Sequence, residues 1–60
     1  MNNEKVRVLL NNYIKENGVK VNYVAKSVGL SESALCRFRH NKRGLREKNL
    51  NKILEFLITR

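Results

Sequence analysis

Sixty residues allow one domain with a small core, because a chain of this length buries only about 60% of the surface that its unfolded form exposes. One cysteine and one histidine exclude an internal disulfide and a zinc site whose four ligands come from His and Cys. We expect neither a secretory leader nor a membrane span, because the N-terminal residues lack a continuous apolar stretch and no apolar run approaches about 20 residues. Thirteen Lys and Arg against five acidic residues give a net charge of +8, which is typical of nucleic-acid binders but does not separate DNA from RNA or an acidic membrane surface.

Residues 3–17 are predicted to form the first helix. Apolar residues recur there at helical spacing and make one stripe: Val6, Leu9, Leu10, Tyr13 and Ile14. Asn2 or Asn3 can cap the start of this helix, and Gly18 suits the left-handed position just past its end.

Two short helices follow. Residues 21–28 share an apolar face formed by Val21, Val24, Ala25 and Val28, and Gly29 ends that helix. Ser31 is a good N-cap for the third helix, which should run to about Arg39 or His40. This helix is expected to bury Ala34, Leu35 and Phe38. Asn41 tolerates the left-handed conformation that ends a helix.

A basic loop at residues 42–45, which contains Gly44, leads to a fourth helix at residues 46–58. Its apolar stripe comprises Leu50, Ile53, Leu54 and Leu57. Phe56 lies off this stripe, so we expect it either to be a lone surface aromatic or to mark a homodimer contact on helix 46–58. Four helical patterns without a strand pattern predict an all-α, compact four-helix domain over residues 1–60.

Residues 21–40, VNYVAKSVGLSESALCRFRH, are typical of a helix-turn-helix, in which a glycine-containing turn joins two short helices. Ala25 is small enough for a close helix crossing, and Gly29 permits a positive φ in the turn. The spacing resembles the helix-turn-helix of the phage Cro and repressor family, the XRE-like bacterial regulators with a lambda-repressor-like fold. The positions that carry the resemblance are Val24, Ala25, Val28, Gly29, Leu30, Leu35 and Phe38.

The resemblance implies that the third helix, residues 31–40, enters the major groove and reads bases from its N-terminal part. The residues that it places on the base-reading face are Ser31, Glu32, Ser33, Cys36 and Arg37. Arg37 is the best candidate for a base contact, since arginine can bond guanine O6 and N7 together. A solvated, non-contacting Arg37 is the plainer alternative.

Other residues are expected to contact the DNA backbone, which positions a protein without specifying a sequence. Six of the twelve residues from 37 to 48 are basic, opposed only by Glu47. Lys20 and Val21 replace the family's usual cap and phosphate-binding glutamine, so any phosphate contact there shifts to Lys20 or Asn22. The full set of backbone candidates is Lys20, Asn22, Arg39, His40, Lys42, Arg43 and Arg46.

We therefore expect a cytoplasmic, sequence-specific binder of double-stranded DNA that acts as a transcriptional repressor, as a homodimer on palindromic sites. The alternative is a protein-interaction module on the same scaffold, such as an antitoxin, adaptor or inhibitor. RNA binding is less favoured because an aromatic stacking platform is missing. Neither catalysis nor a cofactor is expected, because the sequence shows no paired carboxylates, no nucleophile beside a base and no phosphate-binding loop.

Overall fold

The computed structural model describes residues 2–59, which form four α-helices and no strand. The helices are α1 Asn3–Asn17, α2 Val21–Val28, α3 Glu32–Arg39 and α4 Glu47–Ile58. The predicted all-α, four-helix fold is confirmed. Each boundary agrees with the sequence to within a residue, with Arg46 serving as the N-cap of α4 rather than as its first residue.

Local residue chemistry explains most of the helix ends. The side chain of Asn2 accepts a hydrogen bond from the Lys5 amide at 2.8 Å and so caps α1. Gly18 has a φ of 63° and ends the same helix in the left-handed conformation. Asn41, with a φ of 60°, takes that role after α3, as predicted from its tolerance of this region.

One hydrophobic core joins all four helices. Its buried side chains are Val6, Leu10, Val24, Ala25, Val28, Leu35, Phe38, Leu45, Leu50, Ile53 and Phe56. Helix α4 packs against both α1 and α2, and α3 packs against α1 and α2. None of the helices within residues 2–59 is long and apolar enough to cross a bilayer.

The expectation that Phe56 lies on the surface was wrong. It is only 6% exposed, and its ring lies edge-on to Tyr13 at 5.4 Å and to Tyr23 at 6.2 Å between ring centroids. The buried residues of α4 are Leu50, Ile53 and Phe56, so the helix is rotated relative to the predicted stripe. Helix α4 packs against both α1 and α2, and burying a large aromatic ring between them removes more apolar surface from water than burying a leucine.

Two further burial predictions need correction. Leu9 belongs to the predicted stripe of α1 but is 43% exposed, because it lies at the outer edge between α1 and α4. Ala34 is only half-buried on α3. Conversely, Arg7 is 8% exposed although it is charged, and Leu45 in the basic loop belongs to the core.

Candidate nucleic-acid interface

The turn between α2 and α3 is set by Gly29. Its φ is 77°, and the amides of Gly29 and Leu30 both donate to the carbonyl of Ala25, the latter at 2.9 Å. This pair of hydrogen bonds closes the last turn of α2 and ends the helix at Gly29. Leu30 is half-buried against the core and Ala25 is fully packed, so the angle between α2 and α3 is held from both sides of the turn.

Helix α3 has one buried side and one solvent side. Leu35 and Phe38 are completely buried, and they anchor the helix to α1 and α2. All five predicted base-reading residues are exposed: Ser31, Glu32, Ser33, Cys36 and Arg37. Ser33 and Arg37 are four residues apart and therefore share one face of the helix. The solvent side of α3 carries polar or small side chains, and no other part of residues 2–59 covers it.

The start of α3 is capped by one of the predicted reading residues. The hydroxyl oxygen of Ser31 accepts a hydrogen bond from the Ala34 amide at 3.1 Å. The Ser31 hydroxyl proton remains available to a DNA acceptor, because the cap uses only an oxygen lone pair. Glu32 follows in the first helical turn, where the helix dipole favours a negative charge.

The end of α3 is held by side chains of α1. The Nε of Arg7 donates to the carbonyl of Phe38 at 2.6 Å, and the Nδ2 of Asn11 donates to the carbonyl of Arg39 at 3.2 Å. The remaining late carbonyls accept backbone amides, including that of Lys42, which donates to Arg37 at 2.8 Å. The carbonyls that an α-helix leaves open at its C-terminus are thus occupied here, partly by α1.

The side chain of Arg39 is oriented by a second hydrogen bond with Asn11. Its Nε donates to the Oδ1 of Asn11 at 2.9 Å, and the residue is half-buried. Arg39 therefore lies against α1, while the other predicted backbone contacts are exposed: Lys20, Asn22, His40, Lys42, Arg43 and Arg46. Phosphate contact by these seven residues stays a prediction.

The basic loop is anchored at both of its sides. The side chain of Leu45 is buried, and its amide donates to the Oδ1 of Asn3 at 2.6 Å. A side chain at Gly44 would come within 3.3 Å of that same Asn3 oxygen, so glycine leaves room for the contact. At the other end of the loop the Lys42 amide donates to the Arg37 carbonyl, so the segment that carries Lys42 and Arg43 is hydrogen-bonded to the rest of the domain at both ends.

Two helix starts, those of α2 and α4, are left without a side-chain cap. Lys20 precedes α2 and Arg46 precedes α4, and neither provides a capping hydrogen bond. The first amides of a helix lack intrahelical acceptors and favour anions such as phosphate. Basic residues at both positions add charge of the right sign.

Comparison with protein families identifies the scaffold. The model of the Cro/C1-type HTH DNA-binding domain matches residues 9–60. The chain belongs to this family. Searches among curated proteins and solved structures found no match. The helix-turn-helix of this Cro/C1-type domain is the segment from α2 to α3, as the sequence pattern predicted.

Sequence reasoning missed the three α1 residues that support the candidate interface of the Cro/C1-type domain. Arg7 and Asn11 lie four residues apart beside the apolar stripe, which is a weak signal on its own. Their partners are backbone carbonyls 31 and 28 residues away, and Asn3 contacts an amide 42 residues away. Only the packed structure shows those pairings. Within residues 2–59, no cluster of three or more His, Cys, Asp or Glu side chains could hold a metal ion.

Proposed function

We propose that this DNA-binding domain recognises specific duplex sequences by inserting α3 into the major groove, and that it represses transcription by occupying an operator. One observation carries the proposal: all five candidate reading residues are exposed on α3 or at its N-cap, while Leu35 and Phe38 on the other side of the helix are fully buried. An exposed helix of this kind fits the width of the major groove.

The residues divide into base readers and backbone anchors. Arg37 binds guanine through two hydrogen bonds, Ser33 bonds a base or a phosphate, and Glu32 accepts from a cytosine amino group. The exposed Lys42, Arg43 and Arg46 contact phosphates on one side of α3, and the uncapped start of α2 at Lys20 and Asn22 contacts a phosphate on the other. Arg39 and His40 add phosphate contacts at the end of α3. Cys36 serves as a small neutral residue on the reading face.

We further propose that the domain binds as a homodimer. Two copies related by a twofold axis would read half-sites one helical turn apart, about 34 Å, and would favour a palindromic operator. The proposed base readers and the basic loop lie within residues 31–46, and Lys20 and Asn22 add a phosphate contact at the start of α2, so each copy carries its own contacts to one half-site.

The test selects bound sequences from a random duplex pool and compares affinities for the selected and a scrambled duplex. Arg37→Ala should weaken binding to the selected duplex by about 1–3 kcal/mol and relax the preference at one base pair, with little effect on the scrambled duplex. Lys42→Ala should weaken both complexes alike, because phosphate contacts carry no sequence information.

Lys52→Ala serves as the matched control. This exposed cation lies on α4 in a groove that is shared with Lys26 and Phe56 and includes no residue of α3, and its loss should leave both affinities nearly unchanged. Equal affinities of wild type and Arg37→Ala for both duplexes would show that the reading face is wrongly assigned. Absence of any duplex binding at low salt would instead favour the protein-interaction module.

A further inference from the structure

Two arginines lie at the junction of α1 and α3, and their hydrogen bonds differ. The guanidinium of Arg7 is buried and donates to the carbonyl of Phe38 and to the carboxylate of Glu4. The side chain of Arg39 donates its Nε–H to the Oδ1 of Asn11 at 2.9 Å. No hydrogen bond or ion pair within residues 2–59 involves the two terminal amino groups of Arg39. Arg7 therefore serves packing, whereas Arg39 keeps the N–H donors of both amino groups for a partner outside the domain.

Asn11 holds Arg39 at two points. Its Nδ2 donates to the carbonyl of Arg39 at 3.2 Å, and its Oδ1 accepts the Nε–H of the same residue. The first bond fixes the amide on the backbone of α3, and the second fixes the plane of the guanidinium, since this group is planar and rigid. Among residues 2–59, no side-chain nitrogen of a buried or half-buried residue is both enclosed and without a hydrogen-bond partner. The amino groups of the half-buried Arg39 therefore reach the solvent.

The residue that holds Arg39 is neutral, so the arginine keeps its full charge. A carboxylate at position 11 could accept the same Nε–H, but it would also pair with the guanidinium and offset its charge. The one ion pair within residues 2–59 joins Arg7 to Glu4 and leaves Arg39 out. An arginine that is held in place and left unneutralised is suited to an anion.

Arg39 lies at the edge of the reading face, on the side of α1. It follows Cys36 by three residues and Glu32 by seven, so its side chain lies beside theirs on the helix. Its contact with Asn11 places it on the flank of α3 that meets α1. The major groove is about 12 Å wide, so a helix inside it points its middle at the bases and its flanks at the phosphates of the walls. When α3 enters the groove as proposed, Arg39 faces one of those walls.

We propose that Asn11 is a positioning residue, which holds Arg39 so that both amino groups of the arginine bind one phosphate on the α1 side of the groove. The inference deepens the proposed function and rests on it, because the phosphate belongs to the duplex that α3 enters. Arginine binds phosphate most strongly through two parallel hydrogen bonds, which require one orientation of the guanidinium. A side chain that already has this orientation loses less freedom on binding.

A double-mutant cycle on duplex affinity tests the inference with the selected and the scrambled duplex. Asn11→Ala should weaken both complexes about fivefold, because an unrestrained arginine loses side-chain freedom when it binds. Arg39→Ala should weaken both about tenfold and lower the slope of log affinity against log salt by about one. In the Arg39→Ala protein, Asn11→Ala should add less than about twofold, since no side chain remains to be positioned.

Two outcomes of this cycle would overturn the inference. A merely structural Asn11, acting through the Arg39 carbonyl, would cause the same loss with and without the Arg39 side chain. An Arg39→Ala protein weakened on the selected duplex alone would show a base contact in place of the phosphate contact. Asn12→Ala is the matched control, because it is the same substitution at the exposed neighbouring position of α1, and it should change neither affinity.

NMR of the arginine Nε–H groups measures the positioning without DNA. Wild type should show a slowly exchanging Nε–H signal of Arg39, identified by its absence from Arg39→Ala. Asn11→Ala should lose this signal while its backbone spectrum stays that of a folded domain, and Asn11→Asp should retain it, because a carboxylate can still accept the Nε–H. Retention of the signal in Asn11→Ala would overturn the inference. Arg37→Ala without effect on either duplex, with the coupling between Asn11 and Arg39 intact, would instead contradict the proposed reading face alone.

Discussion

Arg7 is a charged residue in a place where charge is costly, and its surroundings explain why it is tolerated. Its guanidinium donates to the carbonyl of Phe38 at 2.6 Å and to the carboxylate of Glu4 at 3.1 Å, and its Cζ lies 4.9 Å from the centroid of the Phe38 ring. A buried charge persists only when such partners satisfy its donors. Arg7 therefore contacts α3 twice, at the backbone carbonyl of Phe38 and at the ring of the same residue.

Replacing Arg7 should cost more than removing its ion pair. Arg7→Leu is expected to lower the free energy of unfolding by about 1–3 kcal/mol, because a charge-assisted hydrogen bond is lost and the end of α3 loses its support. Glu4→Gln should cost less than about 1 kcal/mol, since Glu4 is 72% exposed and solvent screens the pair. Urea unfolding followed by circular dichroism measures both, and equal losses would show that the ion pair, not the carbonyl contact, matters.

At the scale of the helices, local chemistry made the boundaries predictable and the inward faces less so. Asn2, Gly18, Gly29, Ser31 and Asn41 each act within one turn of the chain, and each ends or begins a helix where the sequence indicated. The rotation of α4 depends instead on two other helices at once. The hydrophobic periodicity of residues 46–58 carries no information about Tyr13 and Tyr23, whose rings pack against Phe56.

The candidate interface likewise has a part that the sequence predicts and a part that only the packed structure shows. Exposure of the reading residues on α3 follows from helical periodicity around Leu35 and Phe38, so it was accessible to sequence reasoning. The hydrogen bonds from Arg7, Asn11 and Asn3 were not, because each of them joins parts of the chain at least 28 residues apart. Family resemblance supplied the helix-turn-helix but not these contacts from α1.

The rotation of α4 makes a prediction for two neighbouring residues. Phe56→Ala should lower the free energy of unfolding by about 3–5 kcal/mol, which approaches the whole stability of a domain of this size and should leave much of the chain unfolded. Leu54→Ala should leave it folded, because Leu54 is only half-buried in a groove between α1 and α4. Helical circular dichroism at 25 °C distinguishes them, and the opposite order would restore the stripe predicted from sequence.

For the whole molecule, the basic residues and the exposed apolar residues lie on different parts of the chain. Cations concentrate from α3 to the start of α4, where six basic residues fall between positions 37 and 48. The exposed large hydrophobic residues within residues 2–59 lie instead on the other three helices: Val8 and Leu9 on α1, Tyr23 on α2 and Ile58 on α4. The basic segment thus offers a polyanion a surface without large exposed apolar side chains.

This distribution predicts a steep and site-dependent effect of salt on DNA binding. With about six phosphate contacts, duplex affinity should fall about 10³-fold between 50 and 200 mM salt, because bound cations release condensed counterions from DNA. Replacing Lys42 and Arg43 together by Ala should reduce the slope of log affinity against log salt by about two, one for each lost phosphate contact.

Lys52→Ala removes an equally exposed cation outside the cluster and should leave that slope unchanged. Fluorescence anisotropy titrations of a short labelled duplex at four salt concentrations give the slopes directly. If Lys52→Ala lowered the slope as much per charge as the loop variant does, the net charge of +8 would attract DNA as a whole, without specific phosphate contacts from the loop. The anchoring of the loop by Leu45 and Asn3 would then have no part in DNA binding, whereas a loop-specific loss ties the geometry of that anchor to the affinity.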